Sequence, residues 1–224
     1  MLKFYTKMVR TFDDLPGYTS LLIHSLAGCN LHCCGCHNYA ELVAADHDFF
    51  LTSTDIIEQI KKNGYLFDAI IISGGEFLMG NLTEICEFLS LLKTVFAKTI
   101  IINTNGTFPE KINALLANDW VDGIHIDMKM PYHCFEQKRD TAIYQTVLGI
   151  VPTKELIRNM LESLHTVIKH NSPVSQVRTV KYPVLSGDYF EQIEHYVNFL
   201  NRCYNSKVPY QLNEFYSERE MHDV

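Results

Sequence analysis

Leu21-Leu22-Ile23-His24-Ser25-Leu26-Ala27-Gly28-Cys29-Asn30-Leu31-His32-Cys33-Cys34-Gly35-Cys36 joins an apolar run directly to a cluster of cysteines. The run reads as a short strand, and the cysteines stand at its carboxyl end, where ligand sites gather in parallel α/β architectures. The C-x3-C-x2-C spacing of Cys29, Cys33 and Cys36 lets three thiolates converge from one loop. Three thiolates can hold three irons of a 4Fe-4S cluster, and apart from the adjacent Cys34 no further cysteine stands nearby to cap the fourth. A cluster that only carries electrons normally closes all four positions, so an open iron favours binding of a small molecule. Cys34, beside a ligand on an extended loop, reads as a bystander. Two other readings are a zinc site and reduced core cysteines. Zinc sites usually add a second Cys/His pair at C-x2-C or H-x3-H spacing, which His24, His32 and His37 do not cleanly supply.

Outward from this stretch, strand-like runs recur at Thr19 to Leu26, Ala69 to Ile72, Thr99 to Ile102, Val121 to Ile126, Gln176 to Tyr182 and Tyr210 to Phe215. Helical stripes lie between them. One runs from Leu82 through Ile85, Phe88, Leu89 and Leu92 to Phe96, another from Leu156 through Met160 and Leu164 to Ile168, and a third from Phe190 to Leu200. Thr52-Ser53-Thr54-Asp55 offers a capping arrangement, and Pro109 is placed to open a short helix. Such alternation calls for a parallel sheet with right-handed crossovers. About six units are too few for the closed eight-stranded barrel, so the expected fold is α/β, a partial (β/α)6 parallel barrel, in one domain over residues 1–224. The segment from Met130 to Pro152 has no sustained period. It reads either as a cover for the barrel mouth or as a surface loop with a short helix. His165, His170 and His195 lie in helical stretches and read as solvated.

The chain has 224 residues, 47% hydrophobic and 20% charged, as in an ordinary globular protein. A net charge of -7 gives no electrostatic reason to expect direct nucleic-acid binding. Seven cysteines, four of them between Cys29 and Cys36 and Cys86, Cys134 and Cys203 scattered, do not read as a disulfide framework, which fits a reducing cytoplasm. No run is long enough to span a bilayer and the first residues lack a signal-peptide core, so the expected location is cytoplasmic, with no membrane partner. No internal repeat, low-complexity linker, phosphate-loop lysine, serine-nucleophile elbow or zinc-peptidase helix is present.

Each predicted strand is followed by polar, glycine-rich residues. After the second come Ser73-Gly74-Gly75-Glu76, after the third Asn103-Thr104-Asn105-Gly106, and after the fourth Asp127-Met128-Lys129. Paired glycines let backbone approach a ligand, and an adjacent carboxylate can accept from an ammonium. Asn105-Gly106 suits positive φ, and Asp127 and Lys129 would point the same way on a continued strand, or form no more than a surface ion pair. His37 and Asn38 could serve the cluster loop as second-layer hydrogen-bonding groups, or simply begin its exit turn. Arg178 and Lys181, with Asn213 and Glu214, could reach the same rim.

The cysteine spacing resembles the cluster motif of the radical S-adenosylmethionine (SAM) enzymes, and its continuation into His37-Asn38 resembles the glycyl-radical-enzyme activases. Such enzymes often carry an aromatic residue just before the last cysteine, where this chain has Gly35. Gly74-Gly75-Glu76 resembles the GGE motif that holds the amino group of the methionine moiety. Asn103-Thr104-Asn105-Gly106 resembles a segment near the SAM site in which aspartate commonly replaces Asn103, and Asp127-Met128-Lys129-Met130-Pro131 resembles the activase D-x-K motif. Asp14-Leu15-Pro16-Gly17 is similar to an element of anaerobic ribonucleoside-triphosphate reductase activating proteins, with a looser echo at Gln211 to Phe215.

The resemblance implies a 4Fe-4S cluster on Cys29, Cys33 and Cys36, and SAM positioned by Gly74, Gly75, Glu76, Asn103, Thr104, Asp127 and Lys129. It further implies a glycyl radical enzyme as partner, most plausibly anaerobic ribonucleotide reductase, and an electron donor such as flavodoxin or ferredoxin. The rival functions are a radical-SAM enzyme acting on a peptide or small molecule, and a non-catalytic iron-sulfur or zinc binding module.

Overall fold

Isoleucine triplets build the centre of the sheet. Ile70 to Ile72 and Ile100 to Ile102 are all fully buried, as β-branched residues on strands covered on both faces should be. The computed structural model describes residues 1–216. It contains strands β1 (Lys3–Phe4), β2 (Val9–Thr11), β3 (Ser20–Ser25), β4 (Leu51–Thr52), β5 (Ala69–Gly74), β6 (Thr99–Thr104), β7 (Gly123–Asp127), β8 (Gln176–Val180) and β9 (Tyr210–Asn213). The helices are α1 (Ser53–Asn63), α2 (Leu82–Val95), α3 (Pro109–Ala117), α4 (Gln137–Leu148), α5 (Lys154–His170) and α6 (Gly187–Tyr204). The fold is mixed α/β with a mostly parallel sheet. No helix among the described residues is long and apolar enough to cross a membrane.

The chain forms two compact units. The first comprises Met1–Asn30, Asn38–Thr104 and Glu110–Ile124. In it β3, β5 and β6 run parallel, with Leu22 opposite Ile71 and Ile71 opposite Ile101. Helix α1 starts on a reciprocal capping box between Thr52 and Asp55, and α2 on the Asn81 side chain, which accepts from the Thr83 and Glu84 amides at 2.9 and 3.3 Å. Strands β1 and β2 pair antiparallel to β3, and β4 pairs antiparallel to β1. These strands of two or three residues are too short to leave a detectable sequence period.

The second unit comprises Leu31–His37, Asn105–Pro109 and the chain from His125 onward. Here β7, β8 and β9 run parallel. The Met130 to Pro152 segment is not a plain loop. It holds one 3-10 turn, Tyr132–Cys134, and the twelve residues of α4, which bury Tyr144, Val147 and Leu148. Charged Lys138, Arg139 and Asp140 interrupt its apolar stripe, and Asp140 is buried because Arg139 pairs with it at 2.6 Å. His165 is not simply solvated either. Its Nδ1 and Nε2 each lie 2.8 Å from a tyrosine hydroxyl, Tyr204 and Tyr196 respectively.

His125 on β7 is fully buried, with Nδ1 3.4 Å from Arg178 Nη1. A guanidinium only donates, so Nδ1 accepts and the neutral ring carries its proton on Nε2. Burial, reinforced by the Arg178 charge, pushes His125 from 6.5 down to about 3. Between those values the unfolded chain binds a proton that the folded chain refuses, so stability falls as pH drops through that window, by at most ~1.4 kcal/mol per pH unit. Urea unfolding at pH 7 and pH 5 should give a smaller difference for His125→Gln than for the natural protein. Equal differences would show that His125 is not the group responsible.

Candidate active site

In the first unit the polar strand ends close around one carboxylate. Gly74 ends β5 with φ +108°, and a Cβ there would lie 2.5 Å from the Ser25 carbonyl oxygen. At Gly75 a Cβ would run into the Gly28 carbonyl, 2.8 Å from its carbon. Only glycine fits this approach. It is fastened by the Gly75 amide donating to Ser25 O at 3.2 Å and the Glu76 amide donating to Gly28 O at 2.6 Å. The residue before Cys29 is therefore hydrogen-bonded to the Gly-Gly-Glu turn.

Glu76 itself is only 2% exposed, and its Oε1 accepts from the Thr104 hydroxyl at 3.0 Å and the Leu78 amide at 3.1 Å. Lys111 ties down the chain beyond, donating to Leu78 O at 2.7 Å and Gly80 O at 2.6 Å. Burial depresses its pKa, while the Glu76 charge acts in the opposite direction. Asn103 turns to Ser73, donating from Nδ2 to Oγ at 3.1 Å. Asn38 donates to Gly74 O at 3.1 Å, immediately before a π-helical turn, Tyr39–Val43. π-Turns are rare and concentrate at functional sites. The Lys111 and Asn38 contacts carry no local sequence signal, because each joins residues far apart in the chain.

In the second unit Cys33 and Cys36 share one turn, the Cys36 amide donating to Cys33 O at 3.1 Å. The His32 and Cys34 amides anchor the loop to the end of α4, donating to Leu148 O and Val147 O at 3.0 Å each. His37 Nε2 donates to Tyr216 O at 3.1 Å. All four cysteines from Cys29 to Cys36 are half-buried and in no disulfide.

Asp127 ends β7 between two cations, with Lys129 Nζ 2.8 Å from Oδ2 and Arg178 Nη2 3.2 Å from Oδ1. The side chains of Lys129 and Arg178 are 13% and 15% exposed, so this is not a surface pair. Burial alone would raise the Asp127 pKa, but Lys129 and then Arg178 outweigh it and hold the carboxyl below its ordinary value. Burial likewise opposes the Lys129 ammonium, yet Asp127 above all, with Tyr182 and Cys33, lifts it well above an ordinary lysine. Lys129 thus stays charged at neutral pH. Burial pushes Tyr182 up to about 12 and lifts Tyr132 well above an ordinary tyrosine, and the Tyr132 hydroxyl is buried with no hydrogen-bond partner among the described residues. Of the other residues considered, Arg178 joins Asp127, whereas Lys181 pairs with Glu214 at 3.6 Å on the exposed surface.

These residues fit an iron-sulfur cluster and a zwitterionic ligand. Free thiols suit iron, a buried carboxylate suits an ammonium, and the Gly74-Gly75 turn admits a ligand without Cβ interference. Among the described residues no three His, Cys, Asp or Glu side chains are grouped as one metal ion requires. A cubane asks less, since each thiolate binds a separate iron.

The Radical SAM superfamily profile matches residues 23–200 of the chain. The chain is 30% identical over 191 residues to MJ1227 of Methanocaldococcus jannaschii, provisionally named a glycyl-radical enzyme activating enzyme, a match covering 85% of this chain and 72% of that protein. Among solved structures it resembles anSMEcpe with bound AdoMet, at TM-score 0.55 and 13% identity over 85% of this chain and 49% of that one. It also resembles methylornithine synthase (PylB), at TM-score 0.54 and 12% identity over 85% and 51%. At such identities the likeness is one of fold, the partial (β/α)6 barrel. The profile spans well over half of the sequence, and the chain belongs to the radical SAM superfamily, whose enzymes use a 4Fe-4S cluster and S-adenosylmethionine.

Proposed function

We propose that this chain is a glycyl-radical-enzyme activase, working as a single radical SAM domain in a reducing cytoplasm, with anaerobic ribonucleotide reductase as its partner. The observation that carries the site assignment is the buried Glu76 carboxylate, set on a glycine turn that is hydrogen-bonded to the residue preceding Cys29. The relative from Methanocaldococcus jannaschii supports the activase reading. Cys29, Cys33 and Cys36 would hold the cluster through their thiolates, leaving one iron for SAM. Glu76 accepts from the SAM ammonium, while Gly74 and Gly75 let the methionine moiety lie against backbone. Thr104 holds the Glu76 carboxylate in place, and Asn103 borders it through Ser73. Lys129, kept charged by Asp127, presents a fixed cation to the anionic end of the ligand. When bound and reduced by flavodoxin or ferredoxin, the cofactors supply a 5′-deoxyadenosyl radical that takes hydrogen from a glycine Cα of the partner. The protein's own share is placement and the exclusion of water.

Anaerobic reconstitution with iron and sulfide, reduction, and chromatography after adding SAM test this reading. The natural protein should form 5′-deoxyadenosine, and Cys29→Ala, Cys33→Ala and Cys36→Ala should each form none above background. Glu76→Ala should retain its cluster absorbance and bind SAM about 10- to 100-fold more weakly, the worth of one hydrogen bond to a charged group. Gly75→Ala should weaken SAM binding too, because its Cβ displaces the Gly28 carbonyl. Full SAM affinity in Glu76→Ala would remove the assignment. A doublet from a glycyl radical on the purified reductase, seen by electron paramagnetic resonance, would establish the partner. Cleavage of SAM without that signal would exclude it.

A further inference from the structure

The sequence between Cys33 and Cys36 offers no aromatic side chain, yet an aromatic ring lies there in space. Phe215 occupies the volume that a side chain at Gly35 would need: a Cβ on Gly35 would collide with the ring edge, 2.5 Å from Phe215 Cζ. Gly35 also has φ +60°, but that angle alone would still admit asparagine or aspartate. With the ring in that place, a side chain at position 35 would have to push it aside.

Three further contacts fix the approach. The pairing of β8 with β9 holds to the end of β9, where the amide of Lys181, one residue past β8, donates to Asn213 O at 2.8 Å. The Phe215 ring then stands 6.1 Å from that of Tyr182, which is buried. One residue further on, Tyr216 O accepts from His37 at 3.1 Å. The loop bearing Cys33 and Cys36 is thus held on one side by the end of α4 and on another by residues from the far end of the chain, 179 positions away in the case of His37 and Tyr216. The His37 side chain is committed to this strap.

We propose that Phe215 is a positioning residue for the cysteine loop, its ring seated on the Gly35 backbone so that Cys33 and Cys36 are held in ligating geometry and shielded from solvent on that face. This rests on the cluster assignment above, but its first test needs no cluster. Alkylation of the metal-free protein by N-ethylmaleimide, followed residue by residue with peptide mass spectrometry, reads the shielding directly. In Phe215→Ala, Cys33 and Cys36 should react about threefold faster or more than in the natural protein, as a loop released by local opening does. Cys86 on α2 and the exposed Cys203 should keep their rates, and Phe215→Tyr should behave as the natural protein does.

The second test uses the reconstituted protein. Iron release to a chelator should be several-fold faster in Phe215→Ala than in the natural protein and unchanged in Phe215→Tyr. Unchanged alkylation of Cys33 and Cys36 in Phe215→Ala would overturn the proposal, and so would a parallel rise at Cys86, which reports general loosening. If Phe215→Ala does not fold, Phe215→Leu, which keeps bulk but not a flat ring, is read by the same criteria. A natural protein that assembles no cluster would instead count against the assignment of Cys29, Cys33 and Cys36, and the alkylation result would stand independently.

Discussion

A contact between two backbones, Gly75 against Gly28, sets the architecture around the Glu76 carboxylate in the first unit. Strand β5 delivers its carboxyl end against the exit of β3 so closely that a single added carbon would collide with a carbonyl. The Glu76 amide then donates to Gly28 O at 2.6 Å, and the direction of the Glu76 side chain follows from that bond. Thr104, at the end of β6, meets the carboxylate from the next strand, and Lys111 secures the turn beyond it. A carboxylate 2% exposed is costly to keep ionised, which is why it is surrounded by donors before any ligand arrives. Preorganisation of this kind removes part of the ordering that ligand binding would otherwise require.

Electrostatics organise the end of β7 in the second unit. Asp127 stands between Lys129 and Arg178, and Arg178 also faces His125, so one strand end carries a chain of charge from a buried neutral imidazole to a buried ammonium. A partly buried ion pair of this type contributes little net stability. Its value lies in keeping Lys129 charged and in one place. The Cys33 thiolate is among the groups that feel that charge.

Much of this was legible in the sequence where chemistry and spacing are local. The strand runs, the Thr52 capping box, the helix opened by Pro109 and the glycine turn before Glu76 each arise from residues within a few positions of one another. The polar segments at the carboxyl ends of the strands were legible too, and within the units Glu76 meets Thr104 and Asp127 meets Lys129. Long-range contacts were not legible. Nothing in Phe215 announces Gly35, and nothing in Lys111 announces the carbonyls of Leu78 and Gly80. Helix α4 was obscured by its own charges, since Asp140 is buried only by virtue of Arg139. The three short antiparallel strands have too few residues to show a period.

An iron left open for SAM is the feature on which the proposed chemistry depends. Electron paramagnetic resonance of the reduced, reconstituted protein, recorded with and without SAM, tests that most directly. Chelation at the open iron predicts a cluster spectrum whose g-values move on adding SAM, and Glu76→Ala should need much more SAM to produce the same change. A spectrum that is identical with and without saturating SAM would contradict it, and would leave a cluster that binds nothing at its open position.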